Sequence, residues 1–440
     1  MLTALAPDWV ADTAILAVDD QGGQIAYGDL ETLRSEWKGR LPGRRLVALF
    51  CTNDVPCLSA YIGLHAAGHV VLLLSAKMSP AARRQLIDRY RIEAVVDGEK
   101  VEILSEPENN LHADLTVCLS TSGSTGSPKL VQFSDAQLVS NARSIAEYLK
   151  LKEDDVPLCH LPMEYSFGLS VLHSHMAVGA KLLLTNHSVM QKPFWELLQS
   201  ATNFSGVPFH FEMLLRMRLA RQELPNLRML TQAGGRLTPT VAEALYDLAS
   251  DKGWEFHIMY GQTEAGPRIA WLPFEVMRNN WDKIGRPIPG VSLELADDGE
   301  LIVKSPSVML GYANERSDLR LGGQLDGRLH TGDIAEKVED LYRITGRKSG
   351  FIKLQGNRVN LSDIETRLGE AGFRVACVGQ DDKLTIFSTD NDLEVVRRAA
   401  VELFSFPPRS MDIRYLKSLP RGTNDKTDYV ALKALSKAEL

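Results

Sequence analysis

Between Leu46 and Val96, short apolar runs alternate with helix-like stretches. The runs are Leu46-Val-Ala-Leu-Phe50, Val70-Val-Leu-Leu-Leu74 and Ala94-Val-Val96. None shows the alternation of a half-exposed strand, and none is long enough for a buried helix, so they suit strands buried on both faces. Asn53 as a cap predicts a helix to about Ala67, and Ser79 starts another to Tyr90. Strands interleaved with helices predict a parallel sheet covered on both faces. A chain of 440 residues, 44% hydrophobic and 24% charged, supplies the core for two or three such domains.

The same grammar extends along the chain. Residues 14–27 read as a hairpin around Asp19-Asp-Gln-Gly-Gly23, and Asp29 caps a helix to about Lys38. Asp135 to Lys150 reads as a helix. The apolar window from Gly168 to Leu184 is broken by His173, His175 and Lys181, so it predicts a buried element pair and not a membrane span. From about residue 285 short strands with glycine turns indicate a small β-rich subdomain. Lys348-Ser-Gly350 is a polar break, and the remainder reads as an independent α+β module, with helices at 362–370 and 392–404 and strands at 373–379, 384–388 and 411–415. The expected class is therefore α/β: a large N-terminal domain of mostly parallel sheets covered by helices, the β-rich subdomain, and a small α+β C-terminal domain.

Chemistry concentrates in Thr121-Ser-Gly-Ser-Thr-Gly-Ser-Pro-Lys129, which follows the strand-like Leu115-Thr-Val-Cys-Leu119. Glycines let backbone N–H groups converge, hydroxyls add donors, and the lysine brings a charge suited to polyphosphate. A Ser/Gly linker is the competing reading, but a linker needs neither the leading strand nor the Pro-Lys end. The Gly-Lys-Ser/Thr ending of a P-loop is missing. Ligands in open parallel sheets sit at carboxyl ends of strands, so the strand ends near 121, 206, 234 and 261 are expected to converge on one site. A net charge of −7 disfavours a general nucleic-acid binder. Five scattered cysteines read as reduced core thiols, and the N-terminus lacks a signal-peptide pattern, so a cytoplasmic protein is expected.

Five motifs in order, the hydroxyl–glycine loop among them, give the chain a wider likeness. Tyr260-Gly-Gln-Thr-Glu264, Thr331-Gly-Asp333, Gly346-Arg-Lys-Ser349 and Leu419-Pro-Arg-Gly-Thr-Asn-Asp-Lys426 complete the set. The chain thereby resembles the AMP-forming adenylating superfamily of acyl-CoA synthetases, peptide-synthetase adenylation domains and beetle luciferases. Two departures stand out. The loop ends Pro128-Lys129-Leu130 where the family has Pro-Lys-Gly, and Asp425 precedes the lysine where the family prefers glycine.

The resemblance implies an attack by a carboxylate on the α-phosphorus of ATP, which requires positive charge and donors to offset anion–anion repulsion. Thr121, Ser122, Gly123, Ser124, Thr125, Gly126 and Lys129 would hold the β- and γ-phosphates. Thr263 would touch the α-phosphate and Glu264 would hold Mg²⁺, although an acid in a helix's first turn also has a purely structural explanation. Gly234, Gly235 and Arg236 would pack on adenine, with Tyr260, Gly261 and Gln262 beside them. Asp333 would accept the ribose hydroxyls and Arg347 would add a donor. Lys426 would stabilise the transition state. The implied organisation is a core over 1–346, a hinge over 347–349 centred on Ser349, and a mobile domain over 350–440. Its rotation would bring Lys353 and the Gly356-Asn-Arg-Val loop to the site for attack by a thiol.

The acid pocket is expected around Tyr165, Phe167, Gly168 and Val207, residues that read equally well as plain core. Segment Glu164-Tyr-Ser-Phe-Gly168 resembles the acyl- and aryl-CoA ligase pattern and lacks the aspartate with which amino-acid-selecting domains pair a substrate ammonium; Glu164 is expected to face away. A small carboxylic acid without an α-ammonium group is the expected substrate. With no appended carrier domain expected, the thiol would come from CoA or from the phosphopantetheine of a separate acyl carrier protein. Alternatives are an amino-acid adenylation enzyme, transfer to an amine or hydroxyl, and a non-catalytic nucleotide-binding relative. Retention of Lys129, Glu264, Asp333, Arg347 and Lys426 argues against the last.

Overall fold

The computed structural model describes residues 5–121, 129–348, 351–354, 357–380, 383–404, 411–422 and 425–437. Two large sheets build the N-terminal body. The first has seven strands. Its centre is parallel: Leu46–Cys51 lies between Val70–Ser75 and Ala94–Asp97, and Val117–Thr121 joins beyond Val70–Ser75. All six residues of Leu46–Cys51 are buried, as an uninterrupted apolar run requires. Antiparallel strands close its edges: Lys100–Ile103 on one side, Lys129–Phe133 and Gly311–Ala313 on the other.

The second sheet has nine strands. Ile15–Asp19, Leu182–Leu184, Pro157–Cys159, Asn203–Gly206, Met229–Gln232 and Glu255–Tyr260 run parallel in that spatial order. Antiparallel strands flank them, Gln24–Ala26 at one edge, and Ala270–Leu272 followed by Arg286–Pro287 at the other. Helices Val55–Ala66 and Ser166–Met176 are buried on nearly every side, and one continuous core joins them to the faces of both sheets. That explains the all-round apolarity of both helices. One polar pair joins them: the Tyr61 hydroxyl lies 2.9 Å from His173 Nε2.

Two capping expectations are corrected. Asp54, not Asn53, caps Val55–Ala66 by accepting from the Cys57 amide. Asn53 instead donates to the Cys159 and Leu161 carbonyls and ties the sheets together. Asp29 accepts from the Ala26 amide and closes the turn before helix Leu30–Arg40 without capping the helix itself.

The β-rich segment is a four-stranded antiparallel sheet of Ser292–Leu295, Glu300–Lys304, Arg328–Val338 and Leu341–Arg347. Beyond it, hairpin Phe351–Leu354/Asn357–Asn360 and sheet Val375–Gln380, Lys383–Ser388, Met411–Tyr415 form a unit with helices Leu361–Glu370, Leu393–Phe404 and Tyr429–Lys437. It has its own core. Residues Asn357–Val359, expected in a loop, are instead part of the hairpin's second strand. All five cysteines are buried and unpaired. Among the described residues, no helix is long and apolar enough to cross a membrane.

Candidate active site

The expected strand ends do gather, but from two sheets. Val117–Thr121 and Lys129–Phe133 form a hairpin in which Thr121 faces Lys129 across the ladder. Of the hydroxyl–glycine loop, Ser122, Gly123, Ser124, Thr125 and Gly126 lie outside the described residues, as do Ser349 and Gly356. The hairpin's base still fixes where the loop begins and ends. Lys129 Nζ sits 5.2 Å from the centre of the Tyr312 ring, and the Tyr312 hydroxyl donates to Glu264 Oε1 at 2.7 Å. Strand Gly311–Ala313 delivers Tyr312 by pairing with Lys129–Phe133. Lys129 of the first sheet is thereby linked through Tyr312 to the Thr263-Glu264 turn of the second.

That turn follows strand Glu255–Tyr260. Gly261 permits it: a Cβ there would lie 1.6 Å from the Pro267 carbonyl oxygen. Thr263 Oγ1 is 2.9 Å from Ser166 Oγ, so the turn is hydrogen-bonded to the start of the buried helix Ser166–Met176. Tyr260 donates to Asp333 Oδ2 at 2.5 Å, and Arg347 Nε lies 2.8 Å from Asp333 Oδ1. Asp333 and Arg347 face each other across the two strands that carry them. The buried Asp333 carboxylate raises the pKa of Arg347, while burial and Asp333 hold the Tyr260 phenol well above its ordinary range, so Tyr260 remains a donor. Glu300 secures the preceding turn, accepting from the Gly332 amide at 3.0 Å and from Lys348 at 2.7 Å.

A third group centres on Gly234, whose φ is +87°. A Cβ there would meet the Tyr165 hydroxyl at 2.7 Å, Lys426 Cε at 3.1 Å and Val207 Cγ1 at 3.1 Å. Glycine is needed both for the backbone angle and for the space. Lys426 Nζ stands 5.0 Å from the centre of the Tyr165 ring. Residues separated by some hundreds of positions in sequence therefore touch. The Lys426 loop is closed by Gly422 donating to the Lys426 carbonyl and by Arg421 donating to the Asp425 carbonyl. Asp425 reaches His210 Nε2 at 3.1 Å, and the Val207 amide donates to His210 Nδ1 at 3.3 Å.

Other expected residues are placed as follows. Phe167, Gly168 and Val207 are buried, Tyr165 partly so. Gly235 accepts from Gln232 through its carbonyl at 2.8 Å, Gln262 is half-buried, and Arg236 is exposed, 3.4 Å from Thr366 of the C-terminal unit. Glu164 turns toward Ser75 and Lys77, and burial pushes its pKa up. Lys353 lies on the hairpin strand opposite Arg358, and neighbouring Ile352 anchors that strand in the C-terminal core.

Tyr312, Glu300, His210 and Arg268 were not singled out in the sequence. Only Arg268 carried a signal, a lone charge in Ala265-Gly-Pro-Arg-Ile-Ala-Trp-Leu272. Among the described residues no cluster of three or more metal-ligating side chains occurs. Glu264, with one oxygen taken by Tyr312, still suits Mg²⁺, which is commonly held by one or two carboxylates together with substrate phosphates.

A family model for AMP-binding enzymes matches residues 97–313. Among curated proteins, the 2-succinylbenzoate–CoA ligase of Listeria monocytogenes is 30% identical over 361 residues, spanning 77% of this chain and 76% of that protein. The D-alanine–D-alanyl carrier protein ligase of Staphylococcus haemolyticus is 29% identical over 368 residues, spanning 78% and 75%. Among solved structures, ATP-bound MatB from Rhodopseudomonas palustris shares the fold with a TM-score of 0.80 at 19% identity, over 99% of this chain and 98% of that one. The Bacillus subtilis o-succinylbenzoate CoA synthetase bound to its acyl-adenylate shares it at 0.79 and 20% identity, over 100% and 98%. With the ordered motifs, the fold and these relatives in agreement, the chain belongs to the AMP-binding enzyme family of ATP-dependent, AMP-forming ligases.

Proposed function

We propose that this enzyme activates a small carboxylic acid as its acyl-adenylate and then transfers the acyl group to a thiol, of CoA or of a carrier protein's phosphopantetheine. The observation that carries the reading is the meeting of Lys426 with Tyr165, Val207 and Gly234. A lysine of the C-terminal unit reaching the expected acid pocket supports the reading, because a carboxylate approaching an α-phosphate needs a cation beside it.

In the first half-reaction a carboxylate oxygen attacks the α-phosphorus and pyrophosphate leaves. Lys426 would offset the charge of the two anions, and Thr263, held by Ser166, would donate to the α-phosphate. The loop from Thr121 to Lys129 would hold the β- and γ-phosphates. Asp333, already accepting from Tyr260 and Arg347, would accept the ribose hydroxyls, and the glycine turn at 234–235 would lie against adenine. Mg²⁺ bound at Glu264 would supply neutralisation of phosphate charge. In the second half-reaction a thiolate attacks the acyl carbonyl and AMP leaves. Rotation of residues 350–440 about 347–349 would withdraw Lys426 and present Lys353.

Glu164 is turned toward Ser75 and Lys77, which favours an acid without an α-amino group. Acid-dependent ATP–pyrophosphate exchange over a panel of acids tests the first half. Thioester formation on adding CoA tests the second, and product formed instead with an amine or hydroxyl acceptor and no thiol would replace that half of the reading.

A further inference from the structure

Lys426 is carried by a different folded unit from the pocket it enters, so its position depends on how the body holds its loop. Helix Pro208–Arg216 begins directly after Val207. A Cβ built at Gly234 would meet Val207 Cγ1 and Lys426 Cε, each at 3.1 Å, so the helix starts beside the lysine. Its first turns then touch the C-terminal unit in succession. The Phe209 ring centre lies 4.3 Å from the Arg421 guanidinium carbon, His210 Nε2 lies 3.1 Å from Asp425 Oδ2, and Glu212 pairs with Arg374. Phe209 and Glu212 share one face of the helix.

Of these contacts, the one between Phe209 and Arg421 grips the backbone of the loop. Arg421 Nη1 donates to the Asp425 carbonyl at 2.6 Å, and Arg421 faces Thr427 in an antiparallel bridge. The Gly422 amide donates to the Lys426 carbonyl, and the Asp425 amide donates to the Gly422 carbonyl. Arg421 thus stands at the neck of a closed loop and holds the residue before the lysine through its main chain, whatever side chain that residue carries. Arg374 acts on Arg421 as a like charge, and Glu212 offsets Arg374. The negative face of an aromatic ring attracts a guanidinium, which an aliphatic side chain does not. Phe209 is half-buried against the core of the body, where leucine would also pack. Resting on the ligase reading above, we infer that Phe209 is a positioning residue for the first half-reaction: its ring seats Arg421 and thereby holds Lys426 at the acid pocket. Rotation for thiol transfer parts this contact, so the second half-reaction does not depend on it.

The test compares wild type with Phe209→Leu, Phe209→Tyr, Arg421→Met and the Phe209→Leu/Arg421→Met double variant. ATP–pyrophosphate exchange and thioester formation from preformed acyl-adenylate are measured for each. Phe209→Leu should lower the kcat of exchange by about fivefold, with the KM for ATP and thioester formation unchanged. Phe209→Tyr keeps the ring and should match wild type. Arg421→Met also frees the Asp425 carbonyl and should cost more, and the double variant should be no slower than Arg421→Met alone, since both changes break one contact. The inference is overturned if Phe209→Leu matches wild type, if it slows both half-reactions equally, if Phe209→Tyr falls as far as Phe209→Leu, or if the losses multiply in the double variant. If no acid drives exchange, or no thiol accepts the acyl group, the ligase reading fails separately. Hydrogen exchange over residues 419–428 in the ATP-bound proteins then decides for Phe209. Faster exchange in Phe209→Leu than in wild type and Phe209→Tyr supports the inference, and equal exchange in all three overturns it.

Discussion

Asp425 sits at a backbone φ of +57°, a region where glycine is easiest and aspartate is among the better-tolerated alternatives. The departure from the family's glycine therefore preserves the shape of the turn and adds a contact with His210. Asp425→Gly is expected to keep most exchange activity, whereas Asp425→Val adds about 1–2 kcal/mol of backbone strain and should lower it roughly tenfold, with ATP binding retained in both. Lys426→Ala should lower exchange by about 10²–10³-fold while a titration finds ATP affinity nearly unchanged, because its charge matters in the transition state. Asp333→Ala strands Tyr260 and Arg347 as well as removing an acceptor; a rise of roughly 10–100-fold in the KM for ATP is expected.

At the level of elements, register does what motifs cannot. Thr331-Gly-Asp333 and Gly346-Arg347 are separate in sequence, yet the ladder between Arg328–Val338 and Leu341–Arg347 makes Asp333 and Arg347 neighbours. In the C-terminal unit, Glu365 on helix Leu361–Glu370 accepts from the Cys377 amide at 2.6 Å and from the Tyr429 hydroxyl at 2.8 Å. It thus clasps a helix, a strand and the final helix together. Burial raises its pKa to about 7 from an ordinary 4.5, against the opposing pull of those hydrogen bonds. Below 4.5 the group is protonated in folded and unfolded chains alike. Between 4.5 and about 7 the folded state holds the extra proton, so stability falls as pH rises through that window and levels off above it. Glu365→Gln should flatten this slope in thermal unfolding of the C-terminal unit; an unchanged slope would assign the pH dependence elsewhere.

For the molecule as a whole, polar and cation–aromatic contacts among the described residues join the C-terminal unit to the body. Arg374 pairs with Glu212, Asp425 with His210, Arg236 with Thr366, and Arg421 lies over Phe209 at 4.3 Å. Contacts of this kind suit an interface that forms and parts, because little apolar surface is exposed when it opens. Under the proposed two-step cycle, Glu212→Lys should slow pyrophosphate exchange several-fold and leave thioester formation from preformed acyl-adenylate unchanged. Lys353→Ala should do the reverse, and equal loss of both half-reactions in either variant would remove the rotation from the scheme.

By itself the sequence determined the alternation of buried strands and helices and the ordered motifs of an AMP-forming ligase. These are local properties: an apolar run of five residues, a glycine turn or a lysine at a loop's end needs only its covalent neighbours to be recognised. Only the tertiary structure decided which distant residues share a surface. Asn53 could be read as a cap, but packing makes it a tie between sheets and leaves the cap to Asp54. Tyr312 reaches Glu264 because an edge strand crosses to the other sheet, and His210 reaches Asp425 because two units touch. The lone Arg268 was visible in an apolar stretch, yet its burial without a counter-ion among the described residues is a fact of packing in three dimensions. Side-chain environment depends on long-range contacts that no short stretch of sequence contains.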